Sequence, residues 1–227
     1  MRVLVVEDEV RLAENIAGAL REAARYAVDV VHDGREALEF CSASNYDLIV
    51  LDLMLPALSG EEVVIRLRSA KILAPVLVLT AVTQTDRTVT LLNAGADDFM
   101  TKPFDLGELI ARCRALLRRG KGASQAVLRL GHLELNTSNH SVKLAGEAID
   151  LSATEYRILE YLMHRPRVVV SKRELLEHLY DFTWEHHSNV IEKHLSNLRF
   201  KLGSIDRDDV IETLHGRGYR LAEGKVL

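Results

Sequence analysis

The sequence is poor in the residues that staple a fold or anchor it. Of 227 residues only two are cysteine. Cys41 and Cys113 fall on separate predicted helices, with no disulfide or metal-ligand spacing around them. A covalent framework and a thiolate metal centre are thereby excluded, and a reducing cytosol is the expected setting. Cys113 shares a predicted face with Leu109 and Leu116, so a packing thiol is expected there, and at Cys41 likewise. No apolar stretch is long enough to cross a bilayer and no leader pattern precedes the first strand, so neither a membrane span nor a signal peptide is expected. An excess of positive charge is missing too. The formal net charge is −4, split as −3 through Lys121 and −1 beyond it. Neither half binds nucleic acid by gross charge, so any such reading must rest on local placement. Finally, the first strand leads into Glu7-Asp8-Glu9 rather than a glycine-rich loop, which argues against a nucleotide site.

What is present is ample apolar material, 48% of residues with 27% charged, enough for one large or two modest domains. The chain is organised around Asp47 to Pro56, Asp-Leu-Ile-Val-Leu-Asp-Leu-Met-Leu-Pro. Leu48 to Leu51 is an unbroken apolar run, as in a strand buried on both faces of a parallel sheet. Asp52 ends it. Similar runs at Arg2–Val6, Pro75–Leu79 and Asp98–Met100 end in Glu7-Asp8, Thr80 and Lys102, and Tyr26–Val31 supplies a fifth strand. Helical patterns near 10–24, 34–43, 60–70, 84–94 and 105–119 alternate with them, the signature of a doubly wound α/β sheet. Ligands of such sheets bind at the carboxyl ends of the strands. That edge would gather three carboxylates, one hydroxyl and one ammonium.

Alone, Asp52 fits a helix cap or a buried salt bridge equally well. Clustered carboxylates repel unless a cation intervenes, and an all-oxygen site suits magnesium. Thr80 and Lys102 are partners for a phosphoryl oxygen. The five together mark Asp52 as a carboxylate nucleophile that becomes an aspartyl phosphate. On this reading Lys102 touches the phosphoryl group rather than holding the fold, so its loss should leave thermal stability nearly unchanged or raise it.

Residues 1–119 resemble a response-regulator receiver domain, with Glu7, Asp8, Asp52, Thr80 and Lys102-Pro103 at its motif places. The resemblance implies Mg2+ held by Asp8, Asp52 and the main-chain carbonyl of Met54, with Glu7 acting through water. It implies a cis Lys102–Pro103 bond, Thr80 and Phe99 as switch residues, and phosphorylation by a sensor histidine kinase. It also implies a homodimer formed through the 84–94 helix, the last strand and the 105–119 helix, pairing Asp98 with Arg112 and Asp97 with Arg119. Here the chain departs: the basic partner of Glu108 falls at Thr88, with Arg87 one place off, and Phe99 stands where Tyr is commoner.

The basic, flexible stretch Arg118–Ser124 reads as a linker, placed at residues 120–125. In 126–227, strands at Ala126–Leu135 and His140–Leu144 precede three helices and a hairpin, Val210–Leu214 with Tyr219–Leu221. Ser152-Ala-Thr-Glu155 and Ser171-Lys-Arg-Glu174 read as capping boxes. On a wheel of the third helix, near 188–202, Ile191, Leu195, Leu198 and Leu202 form the core stripe. Opposite lie Asn189, Lys193, Ser196, Asn197 and Phe200, with Arg199 and Lys201 on the flanks. Polar groups outward between basic flanks suit base edges and phosphates, although a solvated face has the same composition.

Residues 126–223 resemble the effector domain of the OmpR/PhoB class, through Leu151-Ser-Ala-Thr-Glu-Tyr156, Ser188-Asn-Val190, Leu198-Arg199 and Gly216-Arg-Gly-Tyr219. This implies a winged helix-turn-helix that binds double-stranded promoter DNA at direct repeats, touches RNA polymerase and works in the cytoplasm, with Arg217 in the wing. Asn197 and Phe200 stand where the family is usually basic, and His215 where it usually has Arg. Phe200 would then meet a thymine methyl or pack against the wing. An aspartyl-phosphate enzyme needs a second acid two residues after the nucleophile, where this chain has Met54, and no enzymatic activity is expected. A stand-alone interaction module that never takes phosphate is the remaining rival.

Overall fold

The computed structural model describes residues 1–81, 91–120, 126–180, 190–203 and 210–222. Most of the predicted 84–94 helix, residues 121–125 of the predicted linker, Arg87, Thr88, Ser188 and Asn189 lie outside them. The chain divides into two compact units, Met1–Gly122 and Ala123–Leu227.

In the first unit five strands, β1 (Arg2–Val6), β2 (Ala27–Val31), β3 (Leu48–Asp52), β4 (Val76–Thr80) and β5 (Asp98–Thr101), form one parallel sheet in the order β2-β1-β3-β4-β5. Helices α1 (Val10–Glu22), α2 (Gly34–Ala43), α3 (Gly60–Ser69) and α4 (Leu106–Gly120) connect or follow them. Apolar runs replace alternation because both faces of the sheet are covered. Val3, Val5, Leu48 and Val50 pack with Ile16, Leu20, Leu109 and Cys113 on one face. Leu4, Val6, Ile49 and Leu51 pack with Ala37, Cys41, Val63 and Leu67 on the other. The two thiols are therefore buried on opposite sides of the sheet, and burial pushes each up to about 12. The strand order reverses between β1 and β3, which puts the crevice of a doubly wound sheet between Glu7 and Asp52.

The opposite edge holds a polar network that no local pattern signals. Arg2 Nε donates to Asp29 at 2.7 Å, Tyr46 Oη donates to the same carboxylate at 2.8 Å, and the Arg2 amide donates to Asp47 at 2.9 Å. All four residues are buried. The network ties β1, β2 and β3 together where a charge would otherwise be stranded.

The second unit opens with a four-stranded antiparallel sheet, β6 (Val127–Leu130), β7 (Leu133–Asn136), β8 (Ser141–Leu144) and β9 (Glu147–Ile149). The single strand predicted over Ala126–Leu135 is thus two strands. Leu130 faces Leu133 across a two-residue turn in which Gly131 takes φ 56°, a conformation natural to glycine. Helices α5 (Ala153–Met163), α6 (Lys172–Leu179) and α7 (Val190–Gly203) follow, and then the hairpin of β10 (Ile211–Leu214) and β11 (Gly218–Leu221). Ser152 and Glu155 form the full capping box, but the second box is half made. Ser171 caps the Glu174 amide, while the Glu174 carboxylate instead accepts from Tyr161 Oη at 2.8 Å.

Candidate functional site

The acidic edge is assembled by strand ends. Asp52 closes β3, Thr80 closes β4, Glu7 and Asp8 follow β1, and Lys102 follows β5. Carboxylate oxygens of Glu7, Asp8 and Asp52 lie within 4.8 Å of one another. Glu7 and Asp52 are only 1% and 4% exposed, and Asp8 is open to solvent. The Lys102 ammonium donates to Glu7 Oε1 and Oε2 at 3.0 and 2.7 Å and to Asp52 Oδ2 at 2.6 Å. Its own amide donates to the Thr80 carbonyl at 2.7 Å, and the Lys102–Pro103 peptide bond is cis. Asp52 Oδ1 accepts the Met54 amide at 3.0 Å. Gly60 lies so close behind β3 that a Cβ there would stand 2.2 Å from the Asp52 carbonyl oxygen, so α3 can start this near the strand end only with glycine.

Burial raises the Glu7 carboxyl above its usual range, opposed by its bonds to Lys102 and reinforced by the charge of Asp52. Burial acts to lower Lys102, yet its bonds to Asp52 and Glu7 outweigh it and hold the ammonium charged. Lys102 is therefore the countercharge of two buried acids, which revises the expectation that it is dispensable for stability. His32, which the motif reading passed over, has Nδ1 2.7 Å from the Glu7 carbonyl. Its place just after β2 was the available signal.

The donor set fits a hard divalent cation: three oxygen ligands, two of them buried, with one ammonium against them. The open side carries Asp8 and the exposed Met54 side chain.

At the surface expected to pair two copies, Asp97, Asp98 and Arg112 are engaged within one chain. Arg112 bonds Asp98 at 3.0 Å and Glu108 at 2.8 Å. Asp97 accepts from Arg68 and from the Val76 amide, both at 2.8 Å. Arg119 is exposed, and Phe99 is half-buried against the Leu4–Val78 face of the sheet.

In the second unit Ile191, Leu195, Leu198 and Leu202 are buried, while Lys193, Ser196, Asn197 and Phe200 face outward. Phe200 is 80% exposed, so it does not pack against the wing. The flanking cations have partners within the fold. Arg199 Nε donates to the Ile211 carbonyl at 2.9 Å and its Nη2 to Thr213 Oγ1 at 2.6 Å. Lys201 Nζ donates to the Asp150 carbonyl at 2.9 Å and to Glu155 at 2.8 Å. Burial acts to raise Glu155, but Lys201 and the Ser152 amide hold it below the usual carboxylate range. Both cations, half-buried on the flanks, clamp α7 to its neighbours. Arg217 is exposed at the hairpin tip, and Lys172 pairs with Glu192 at 2.7 Å, joining α6 to α7.

Comparison with known proteins bears on both units. Residues 3–114 match the response regulator receiver domain family, and residues 146–221 match the family described as transcriptional regulatory protein, C terminal. The chain is 42% identical to the transcriptional regulatory protein TcrA of Mycobacterium tuberculosis, over 97% of this chain and 87% of that one. It is 38% identical to the cell cycle response regulator CtrA of Brucella ovis, over 98% and 96%. Among solved structures, the Francisella response regulator 1452 receiver domain aligns with a TM-score of 0.50 at 38% identity, covering 52% of this chain and 97% of that one.

Proposed function

The chain belongs to the OmpR/PhoB family of response regulators, a receiver joined to a C-terminal transcriptional regulatory domain, and from that premise we propose that phosphorylation of Asp52 by a sensor histidine kinase controls its binding to promoter DNA. The observation that carries the reading is the Lys102 ammonium bridging Glu7 and Asp52 at the sheet's switch point. One Asp52 oxygen attacks the phosphorus of the donor phosphohistidine. A P–O bond forms, the P–N bond breaks, and the imidazole leaves with the electron pair. Lys102 and the Thr80 hydroxyl then face the new phosphoryl oxygens. Glu7, Asp8, Asp52 and the Met54 carbonyl would hold Mg2+, which when bound neutralises phosphoryl charge.

Thr80 and Phe99 would relay that change to the Asp97, Asp98, Arg112 and Arg119 face. Two copies pair there when the internal contacts of Arg112 and Asp97 are exchanged for partner ones. Lys193, Ser196 and Asn197 on α7, with Asn189 before it and Arg217 on the wing, would meet DNA. The pinned positions of Arg199 and Lys201 give them a supporting part. The protein would act in the cytoplasm, on direct repeats and alongside RNA polymerase, as a regulator and not an enzyme; no helix among the described residues is long and apolar enough to cross a membrane. Incubation of the full chain with acetyl phosphate and Mg2+ should add one phosphate, and Asp52→Asn should abolish it. Labelling that persists elsewhere in that variant would overturn the assignment.

A further inference from the structure

The outward face of α7 is set by two clamps. Successive residues of a helix are 100° apart, and Arg199 is bonded to the hairpin while Lys201 is bonded to Glu155 and Asp150. Phe200, between them, is thereby directed away from both. It stands opposite Leu198 and Leu202, which are buried. A single exposed apolar side chain needs no explanation on its own. This ring, however, is 80% exposed, and among the described residues it shares its stripe with Lys193, Ser196 and Asn197, all exposed. Among these four, Lys193 supplies the one cation. From Lys193 to Phe200 the helix rises about 10.5 Å, close to three base-pair steps of DNA at roughly 3.4 Å each. An ammonium, a hydroxyl and an amide can address base-edge donors and acceptors. An aryl ring at the end of that row has one apolar target in the major groove, the C5-methyl of thymine.

We propose that Phe200 is a specificity-determining contact that reads a thymine methyl at the edge of the recognition site. The inference rests on the DNA-binding reading above and deepens it. It assigns one base position to an apolar contact, at a place where the neighbouring cations Arg199 and Lys201 are bonded to the hairpin and to Glu155. Removing a methyl from that contact should weaken binding about fourfold, the worth of one buried methylene-sized group.

The test separates this contact from the reading beneath it. Phosphorylated full-length protein would select duplexes from a randomised pool, and each thymine of the enriched sequence would then be replaced singly by deoxyuracil. Wild type should lose about fourfold at one thymine per bound copy. Phe200→Ala should bind the thymine and uracil duplexes equally, and Phe200→Leu should keep part of the difference. An enriched sequence that tolerates every uracil, or a Phe200→Ala protein that still distinguishes the pair, overturns the proposal and leaves DNA binding standing. A pool with no enriched sequence overturns the DNA reading itself. If Phe200→Ala instead changes the protein's mass in light scattering and leaves thymine preference intact, the ring is a protein contact and the proposal fails.

Discussion

Replacing Lys102 by methionine keeps the stem of the side chain and deletes the ammonium between Glu7 and Asp52. Their carboxylate oxygens lie within 4.8 Å of one another. At that separation and an effective dielectric of about 20, two unit charges repel by roughly 3.5 kcal/mol. The protein has an escape, since Glu7 can take up a proton. Against an ordinary value near 4.3, doing so costs about 3.7 kcal/mol at pH 7 but only about 1 kcal/mol at pH 5. The two limits nearly coincide at neutral pH, so the variant should lose about 3 kcal/mol there. The sign follows from linkage. A carboxyl whose folded value is raised is stabilising below its unfolded value, and that contribution is lost as pH rises through the folded one. The defect should therefore fade on acidification toward pH 5, and Mg2+ should restore stability at pH 7 by replacing the countercharge. Urea denaturation from pH 5 to 8 without divalent ions would measure it, with the transition of the second unit as internal reference. A Lys102→Met protein as stable as wild type at pH 8, or equally destabilised at every pH, would refute the reasoning.

Three further outcomes follow from contacts described above. Asp29→Ala strands Arg2, which is 3% exposed; breaking such a buried pair should cost about 3–5 kcal/mol, and a loss under 1 kcal/mol in urea would show the edge to be wet. Lys201→Gln should lower the stability of the second unit by about 1–2 kcal/mol, since the partly exposed ammonium pairs with buried Glu155. The same variant should leave the salt slope of DNA binding unchanged; a slope reduced by about one would return Lys201 to the phosphates. Arg112→Glu places like charge beside Asp98 and Glu108, so light scattering should find the phosphorylated protein monomeric, and an unaltered dimer would move the interface elsewhere.

The receiver half was legible because strands covered on both faces leave continuous apolar runs, and the residue ending each run falls on the ligand edge. Asp52, Glu7, Thr80 and Lys102 could thus be brought together from sequence alone. What escaped depends on distant partners. Nothing near Arg2 announces Asp29, Tyr46 and Asp47, which meet it only after three strands pair. A wheel gives the angles of Arg199 and Lys201 but not the carbonyls of Ile211 and Asp150 that receive them. The turn at Gly131-His132 did leave a trace. The inward leucines change parity there, from 128 and 130 to 133 and 135, and alternation carried through the glycine conceals it.

The two cysteines, one beneath each face of the sheet, make the receiver report on its own breathing. Neither thiol ionises appreciably at neutral pH, and both are buried beneath their layers of helices, Cys113 completely and Cys41 at 8% exposure. Alkylation of Cys113 thus times the opening of the α1–α4 layer, and alkylation of Cys41, above the small rate its 8% exposure allows, that of the α2–α3 layer. Two labelling rates measured on one unmodified chain, with and without phosphate on Asp52, would tell which side of the sheet tightens when the signal arrives.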